Sequence, residues 1–166
     1  LASGTTLSVN ATAGTGLAGL YYNQGPSAPD YNDLSNLRGR LGQWTPDVVD
    51  TSPLINFSTG GGSLPWPAGV NADNYQAYYS GMIDITTGGT YTFQTGSDDG
   101  SMVWVDGQLV VSNNSYKPYS YPQQSGSISL DPGMHTIVVG YYEGGGSNAL
   151  RAGISGPDTG GSDVVL

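Results

Sequence analysis

The sequence contains no cysteine and a single histidine, His135. Without cysteine, disulfides are excluded as a source of stability, while the compartment in which the protein works stays open. One histidine without cysteine also lacks the parts of a zinc site or of a Ser-His nucleophile system. These absences argue against common hydrolytic chemistries, and we expect a protein that is not an enzyme.

Basic residues and glutamate are scarce as well. Lysine and arginine total 4 against 13 acids, the formal net charge is -9, and every acid except Glu143 is aspartate. Such a surface repels phosphate backbones and anionic membranes, so we expect no nucleic-acid partner. Short aspartate side chains in turns suit both turn geometry and hard cations such as calcium.

Long apolar runs are also missing. No run approaches the roughly 20 residues that a membrane span needs, and the first residues carry no basic segment of a signal peptide. We therefore expect no direct membrane insertion. With 166 residues, the chain has the length of one domain with a substantial core. Because it also starts without methionine, we interpret residues 1–166 as a single domain excised from a larger chain.

The sequence is rich in glycine, tyrosine and short alternating segments. Its 27 glycines and 12 tyrosines, with threonine, serine and asparagine, favour short strands joined by tight turns over helices. Eight segments are predicted as strands: 16–22, 54–58, 75–86, 90–95, 101–105, 108–112, 127–130 and 135–143. Strands at this spacing predict an all-β sandwich or barrel.

Two turns between these strands carry specific signals. Asp106-Gly107 is typical of a type I′ hairpin turn, and we expect Asp106 to serve only that turn. Asp131-Pro132-Gly133 lies between the last two predicted strands. Its composition predicts a second hairpin there.

Two adjacent acids, Asp98 and Asp99, occupy the turn TGSDDGS between two predicted strands. Neighbouring side chains point to opposite faces along a strand, but in a turn the two carboxylates can converge. Converging carboxylates repel each other unless a cation lies between them, and calcium accepts such irregular sites. The alternative is a solvated loop in which each aspartate caps its own turn. Two glycosidase acids would need to stand about 5 to 9 Å apart across a sugar, for which neighbours in one turn are poorly placed.

The wider sequence resembles the protective-antigen domain family, the PA-fourteen module, over about residues 16–157. The most specific segment is TYTFQTGSDDGSMVWVDGQLVV, followed by LDPGMHTIVVGYYE. The resemblance implies a β-sandwich of two antiparallel sheets with long loops. In the sugar-binding branch of the family, a cis peptide joins the two aspartates of the SDDG turn, and both bind one calcium. Asp98 and Asp99 match those positions.

The resemblance also implies a second loop, after the strand matching HTIVVGYYE, that completes the calcium site with a side-chain amide and main-chain carbonyls. Here that loop is EGGGSNAL, residues 143–150, and its only amide is Asn148. We predict Asn148 as a side-chain ligand and Gly146 and Ser147 as carbonyl ligands. Asp98, Asp99, Ser147 and Asn148 are then the predicted sugar contacts. The alternative is a flexible hairpin tip with no ligand role.

Six aromatic residues could present a ring to a sugar: Tyr116, Tyr119, Tyr121, Trp44, Trp66 and Trp104. The three tyrosines lie in the polar connection 112–126, and we favour a loop that packs over the sandwich by means of them. Trp104 lies in a predicted strand, where a core or sheet-face position is expected. Packing is the favoured role of the other two tryptophans as well.

Together these features predict a calcium-dependent lectin domain of an extracellular, cell-surface adhesin. Its partners would be cell-surface glycans or simple sugars of the fucose, glucose or mannose type, and the domain would be monomeric within the larger adhesin. One alternative is a spacer or interaction module that uses calcium only to stiffen a loop. Another is an accessory domain of a glycosidase.

Overall fold

The computed structural model describes residues 6–8, 16–23, 34, 45–52, 54–58 and 67–166, which are mainly β-strands. The strands are β1 (Thr6–Ser8), β2 (Leu17–Asn23), β3 (Val48–Ser52), β4 (Asn56–Ser58), β5 (Tyr75–Ile85), β6 (Gly89–Asp98), β7 (Gly100–Val105), β8 (Gln108–Asn113), β9 (Gln124–Leu130), β10 (Gly133–Glu143), β11 (Ala149–Ser155) and β12 (Val164–Val165). A 3-10 turn covers Pro157–Thr159. Within these described ranges, no helix is long and apolar enough to span a membrane.

The strands form two packed sheets. The seven-stranded sheet has the order β3-β2-β5-β10-β7-β8, and β1 runs parallel to β5 at its side. The five-stranded sheet has the order β12-β11-β6-β9, and β4 also pairs with β11. The other pairings are antiparallel. The predicted all-β sandwich of two antiparallel sheets is confirmed, and the eight predicted segments correspond to β2 and β4 to β10.

The main core lies between the two sheets. Strand β10 alternates, so that Ile137, Val139 and Tyr141 are buried in this core together with residues of the five-stranded sheet such as Phe93 and Leu150. A second, smaller cluster contains Leu34, Tyr78, Met102, Trp104 and Tyr142. The predicted core or sheet-face position of Trp104 is therefore confirmed.

The two predicted turns have different outcomes. Asp106 and Gly107 both have positive φ, as a type I′ turn requires, and they join β7 to β8. The hairpin predicted at Asp131-Pro132-Gly133 is wrong, because β9 and β10 lie in different sheets. Strand β10 instead pairs with β5 along its whole length, from Gly133 opposite Ile85 to Glu143 opposite Tyr75. That continuous ladder between long strands outweighs the local turn signal.

Two connections cross between the sheets at the same end of the sandwich. The first joins β6 to β7 through Asp99, and the second joins β10 to β11 through residues 144–148. The ladders place the two crossings side by side, since Ala149 lies opposite Asp98 and Tyr142 lies opposite Gly100. The fold thus brings together two loops that are distant in the sequence.

Candidate metal centre

The aspartate pair lies at the first crossing. The peptide bond between Asp98 and Asp99 is cis, as the family resemblance implied. The chain leaves this bond through Gly100, where a Cβ atom would stand 2.1 Å from the ring of Tyr142, so only glycine fits. The side chain of Ser97 donates to the carbonyl of Asp99 at 2.7 Å. Local contacts therefore fix the direction in which the two carboxylates point.

A polar network behind the pair supports this turn. The Oε1 atom of Gln123 accepts hydrogen bonds from the amide of Ser97 and from Nδ2 of Asn113, both at 2.8 Å. The hydroxyls of Ser97 and Ser101 lie 2.8 Å apart, and both side chains are buried. Because these polar groups bond to one another, they hold the turn without using the carboxylates.

Asp99 is the buried member of the pair, with 1% of its surface exposed, and its carboxylate links the two crossings. Its Oδ2 accepts the amide of Gly144, in the second crossing, at 2.8 Å. Its Oδ1 accepts the amide of Lys117, from the connection between β8 and β9, at 3.3 Å. The Nζ atom of Lys117 donates to Oδ1 of Asn113. Asp99 is thus held by main-chain donors.

A third acid, Glu143, joins the pair from the end of β10. One carboxylate oxygen from each of Asp98, Asp99 and Glu143 lies within 4.8 Å of the other two. Glu143 is fully buried, and its Oε2 lies 3.2 Å from the hydroxyl of Tyr141, whose one proton is shared with the carbonyl of Asp98. Its Oε1 is buried and has no hydrogen-bond partner within the described part of the chain. Three carboxyl groups therefore converge at the crossing.

Asn148 lies beside the acids, at the start of β11. Its side chain is buried, and its Oδ1 accepts the hydroxyl of Tyr75 at 2.9 Å. Tyr141, whose ring centroid is 5.8 Å from that of Tyr75, donates its hydroxyl to the carbonyl of Asp98 at 2.5 Å. The two tyrosines thus position the amide of Asn148 and the aspartate turn from the side of the main core.

The remaining predicted residues, Gly146 and Ser147, form the exposed tip of the second crossing. Gly146 has a φ of 109°, which favours glycine, and its amide donates to Oδ1 of Asp73 at 3.1 Å. The Nδ2 atom of Asn148 donates to the carbonyl of Gly146 at 3.5 Å. The structure brings all five predicted residues to one place, and their roles as ligands stay predictions.

The electrostatics of the site disfavour ionised acids in the absence of a cation. Burial and the negative charge of Asp99 raise the pKa of Asp98, although a hydrogen bond from the main-chain amide of Tyr119 opposes the shift. Burial also raises the pKa of Asp99, against the amides of Gly144 and Lys117. Burial, and then the charge of Asp99, raise the pKa of Glu143 to about 8, against the hydroxyl of Tyr141 and the amide of Gly145. A bound cation would remove this conflict.

The donor set fits calcium. Calcium binds oxygen ligands at about 2.3–2.6 Å, so two ligands of one ion can stand at most about 5 Å apart. The three carboxylate oxygens meet this limit, since all lie within 4.8 Å of one another. All are hard oxygen donors, and Glu143 carries an oxygen, Oε1, that has no hydrogen-bond partner among the described residues. Asp98, Asp99 and Asn148 would hold the ion.

The aromatic residues around the site differ in exposure. Tyr116 is 69% exposed, and its hydroxyl lies 3.5 Å from the carbonyl of Gly145, while Tyr119 is 40% exposed. Tyr121 packs instead, under the guanidinium of Arg151, which is 3.9 Å from its ring centre. The favoured packing role thus holds for Tyr121, while Tyr116 and Tyr119 leave a larger part of their surface exposed. The candidates Trp44 and Trp66 lie outside the described residues.

The sequence reasoning missed Glu143, Tyr141 and Tyr75 as members of the site. A signal for two of them exists, because Tyr141 and Glu143 are two residues apart on a strand and therefore share a face. Glu143 is also the only glutamate in the chain and immediately precedes the glycine loop. Its complete burial, however, contradicts the ordinary preference of glutamate for the surface.

Comparison with known proteins gives a match to the PA14 domain over residues 14–165. A curated relative, the anti-sigma-I factor RsgI3 of Acetivibrio thermocellus, is 31% identical over 131 residues. The alignment covers 78% of this chain but only 17% of that relative. The chain therefore corresponds to a small part of the relative's length.

Solved structures share the fold. A PA14 sugar-binding domain from an RTX adhesin superimposes with a TM-score of 0.72 at 22% identity, covering 92% of this chain and 94% of that one. The epithelial adhesin 9 A domain of Candida glabrata, in complex with Galβ1-3GlcNAc, gives a TM-score of 0.64 at 16% identity. It covers 92% of this chain and 85% of that one. At these identities the likeness shows the fold alone.

Proposed function

Because the chain belongs to the PA14 domain family, we propose that it is a calcium-dependent carbohydrate-binding domain of an extracellular, cell-surface protein. It is a non-catalytic module that binds terminal sugars of glycans, of the fucose, glucose or mannose type. Residues 1–166 act as one lectin domain, monomeric within a larger adhesin. The observation that carries this proposal is the convergence of Asp98 with the buried carboxylate of Asp99 at a crossing between the sheets.

The residues of the two crossings supply different kinds of oxygen ligand to the cation. Asp98 and Asp99 supply carboxylates, Asn148 supplies an amide oxygen that already accepts the hydroxyl of Tyr75, and Gly146 and Ser147 supply carbonyls. A carbonyl-type oxygen has two lone pairs, so it can accept a hydrogen bond and bind a cation at the same time. When bound, calcium supplies coordination positions that two neighbouring hydroxyls of a sugar fill.

The exposed groups around the site then contact the sugar. Asp98 is partly exposed and Ser147 is exposed, so both face solvent beside the buried Asp99. Charge-assisted hydrogen bonds from sugar hydroxyls to Asp98 are stronger than neutral ones. A shallow rim contacts few sugar atoms, so we expect weak binding of single sugars and high avidity only from many copies.

The relatives support a glycan partner in general terms. A domain of an RTX adhesin with this fold is named as sugar-binding, and a Candida glabrata adhesin domain with this fold holds Galβ1-3GlcNAc. A second candidate concerns the parent protein, because the relative at 31% identity is an anti-sigma factor. In that case the same site would bind a sugar as a signal for regulation instead of an anchor for adhesion.

The test is titration calorimetry with fucose, glucose, mannose and galactose, in calcium and in chelator. We expect millimolar-range binding in calcium, on the order of the affinity that a shallow site reaches, and no binding in chelator. Asp99→Ala should remove binding of both calcium and sugar. The matched control is Asp106→Asn, at the opposite end of the sandwich, which should bind both normally. If calcium binds and every sugar fails, the site is a structural clamp and the domain is a spacer.

A further inference from the structure

Glu143 is unusual among the acids of this protein. It is the only glutamate among 13 acidic residues, and it is fully buried at the end of β10. Its Oε2 atom lies 3.2 Å from the hydroxyl of Tyr141, but its buried Oε1 atom has no hydrogen-bond partner in the part of the chain that is described. A buried carboxylate oxygen without a partner is costly, so something must offset it.

No side chain of the described residues offsets the charge of Glu143. The ion pairs of that part of the chain are His135 with Asp106 and Arg151 with Asp163, neither of which involves Glu143. Lys117 reaches the region, but its Nζ atom donates to Asn113. The charged neighbours of Glu143 are instead two further acids, Asp98 and Asp99.

We propose that Glu143 is itself a ligand of the cation, so that the centre is built from three carboxylates, from Asp98, Asp99 and Glu143. The inference rests on the proposed calcium-binding function and deepens it. It is carried by two independent observations: the mutual approach of the three acids within 4.8 Å, and the unpartnered, fully buried Oε1 atom. Both fit one ion bound by all three side chains, since ligands of one calcium stand at most about 5 Å apart.

The third carboxylate raises the affinity of the centre for calcium. Calcium affinity rises with the number of charged ligands, so a three-carboxylate centre binds the ion more tightly than the aspartate pair alone would. Glu143 binds from the buried side, at the end of β10, while Asp98 stays partly exposed. The buried acid therefore strengthens the hold on the ion and leaves the exposed side for the sugar.

The test is calorimetric titration of calcium into the whole domain and into two variants. Glu143→Gln keeps the shape of the side chain and removes its charge, and we expect a loss of calcium affinity of at least the roughly 10–100-fold that outer-shell changes cost. The matched control is Asp73→Asn, which removes a nearby charge but keeps an oxygen for the amide of Gly146. We expect it to stay within about threefold of the unmodified protein, because an exposed charge is screened.

Thermal melts in chelator, which involve neither calcium nor sugar, test whether Glu143 is needed for the fold itself. Without calcium, Glu143→Gln should melt at the same or a higher temperature, because the variant has no buried carboxyl group that must either take up a proton or be repelled by the two aspartates. If Glu143→Gln binds calcium as well as the unmodified protein does, the inference is wrong and the lectin proposal stands. If it no longer melts cooperatively in chelator, Glu143 is a structural acid and the inference also fails. Calcium binding that depends on Glu143, without any sugar binding, would support the inference and overturn the lectin proposal.

Discussion

Strand β10 begins and ends beside acidic side chains, and the pKa values of these acids are shifted in opposite directions at the two ends. At its end, Glu143 meets Asp98 and Asp99, and burial raises the pKa of each of the three carboxyl groups. Near its start, the pKa values of Asp106 and Asp158 are lowered. The five acids lie near the two ends of the same strand and carry the same type of charge, so the difference comes from the partners that each acid has.

The turn after β5, which lies beside the start of β10, supplies Asp158 with donors. The Oδ1 atom of Asp158 accepts the hydroxyl of Thr86 at 2.7 Å and the amide of Thr87 at 2.9 Å, and Oδ2 accepts the amide of Thr86 at 2.7 Å. Burial alone would raise the pKa of Asp158, but these bonds outweigh it. We call this the satisfied end and the region of Asp98, Asp99 and Glu143 the unsatisfied end. At the satisfied end these bonds outweigh burial, whereas at the unsatisfied end burial outweighs the hydrogen bonds and Oε1 of Glu143 has no donor among the described residues.

The largest expected effect is the response of the unsatisfied end to calcium. A ligand that binds only the folded state, at about one hundred times its Kd, stabilises by about 2.7 kcal/mol. For a domain of this size, that raises the melting temperature by roughly 5–10 °C. Calorimetric melts in calcium and in chelator measure the shift. The shift should vanish in Asp98→Asn and persist in Asp158→Asn, and an equal shift in both variants would contradict the comparison.

A smaller loss of stability is expected from Asp158→Asn at the satisfied end. The amide group of asparagine would turn a donor toward the amides of Thr86 or Thr87, so at least one bond is lost. Hydrogen bonds to charged groups contribute roughly 1.5–3 kcal/mol, and this site is near the surface, so we expect a loss of about 1–2 kcal/mol. Urea denaturation should show the same loss in calcium and in chelator.

The matched control for that loss is Asp131→Asn. Asp131 is exposed at the same end, and it contacts His135 through its main-chain carbonyl, which the change keeps. Its free energy of unfolding should stay within about 0.5 kcal/mol of the original value. A loss in Asp131→Asn as large as in Asp158→Asn would mean that net charge, not the bonds of Asp158, stabilises this end.

The sequence allowed most of the strands and part of the site to be predicted. Alternation identified strands such as β6 and β10, because each buries one face against the main core. The aspartate turn and its cis peptide bond were predicted through the family resemblance. Strand partners could not be predicted in the same way, because alternation gives the faces of a strand but not its neighbours. The wrong hairpin between β9 and β10 shows this.

The side-chain partners of the acids were the hardest feature to predict. Glu143 was missed because its burial depends on two crossings that meet only in the folded structure. Asp106 was expected to serve its turn alone, and that expectation is wrong. Its Oδ1 accepts the amide of Thr136 at 2.9 Å, and its Oδ2 lies 2.6 Å from Nδ1 of His135. Both contacts join residues about 30 positions apart in the chain, which turn chemistry does not reveal.

The smallest expected effect is the pH dependence of that pair. Partial burial would lower the pKa of His135, but the bonds to Asp106 and to the carbonyl of Asp131 outweigh it and raise the pKa. A raised histidine pKa gives stability that is fully present below about pH 6.5, the unfolded value, and is lost as pH rises through the folded pKa. The lowered pKa of Asp106 gives stability that is lost only in acid, below about pH 4.

Asp106→Asn isolates this contribution, since Asn-Gly suits a type I′ turn as well as Asp-Gly does. Near pH 5.5 the free energy of unfolding of the unmodified protein should exceed that of the variant by less than about 1 kcal/mol, because the pair is partly exposed. This difference should shrink toward pH 8.5. Urea denaturation of both proteins at the two pH values measures it. The acids of the unsatisfied end are common to both proteins and distant from the change, so their contribution cancels in the difference. A difference that grows with pH would show that the satisfied end does not depend on a charged histidine.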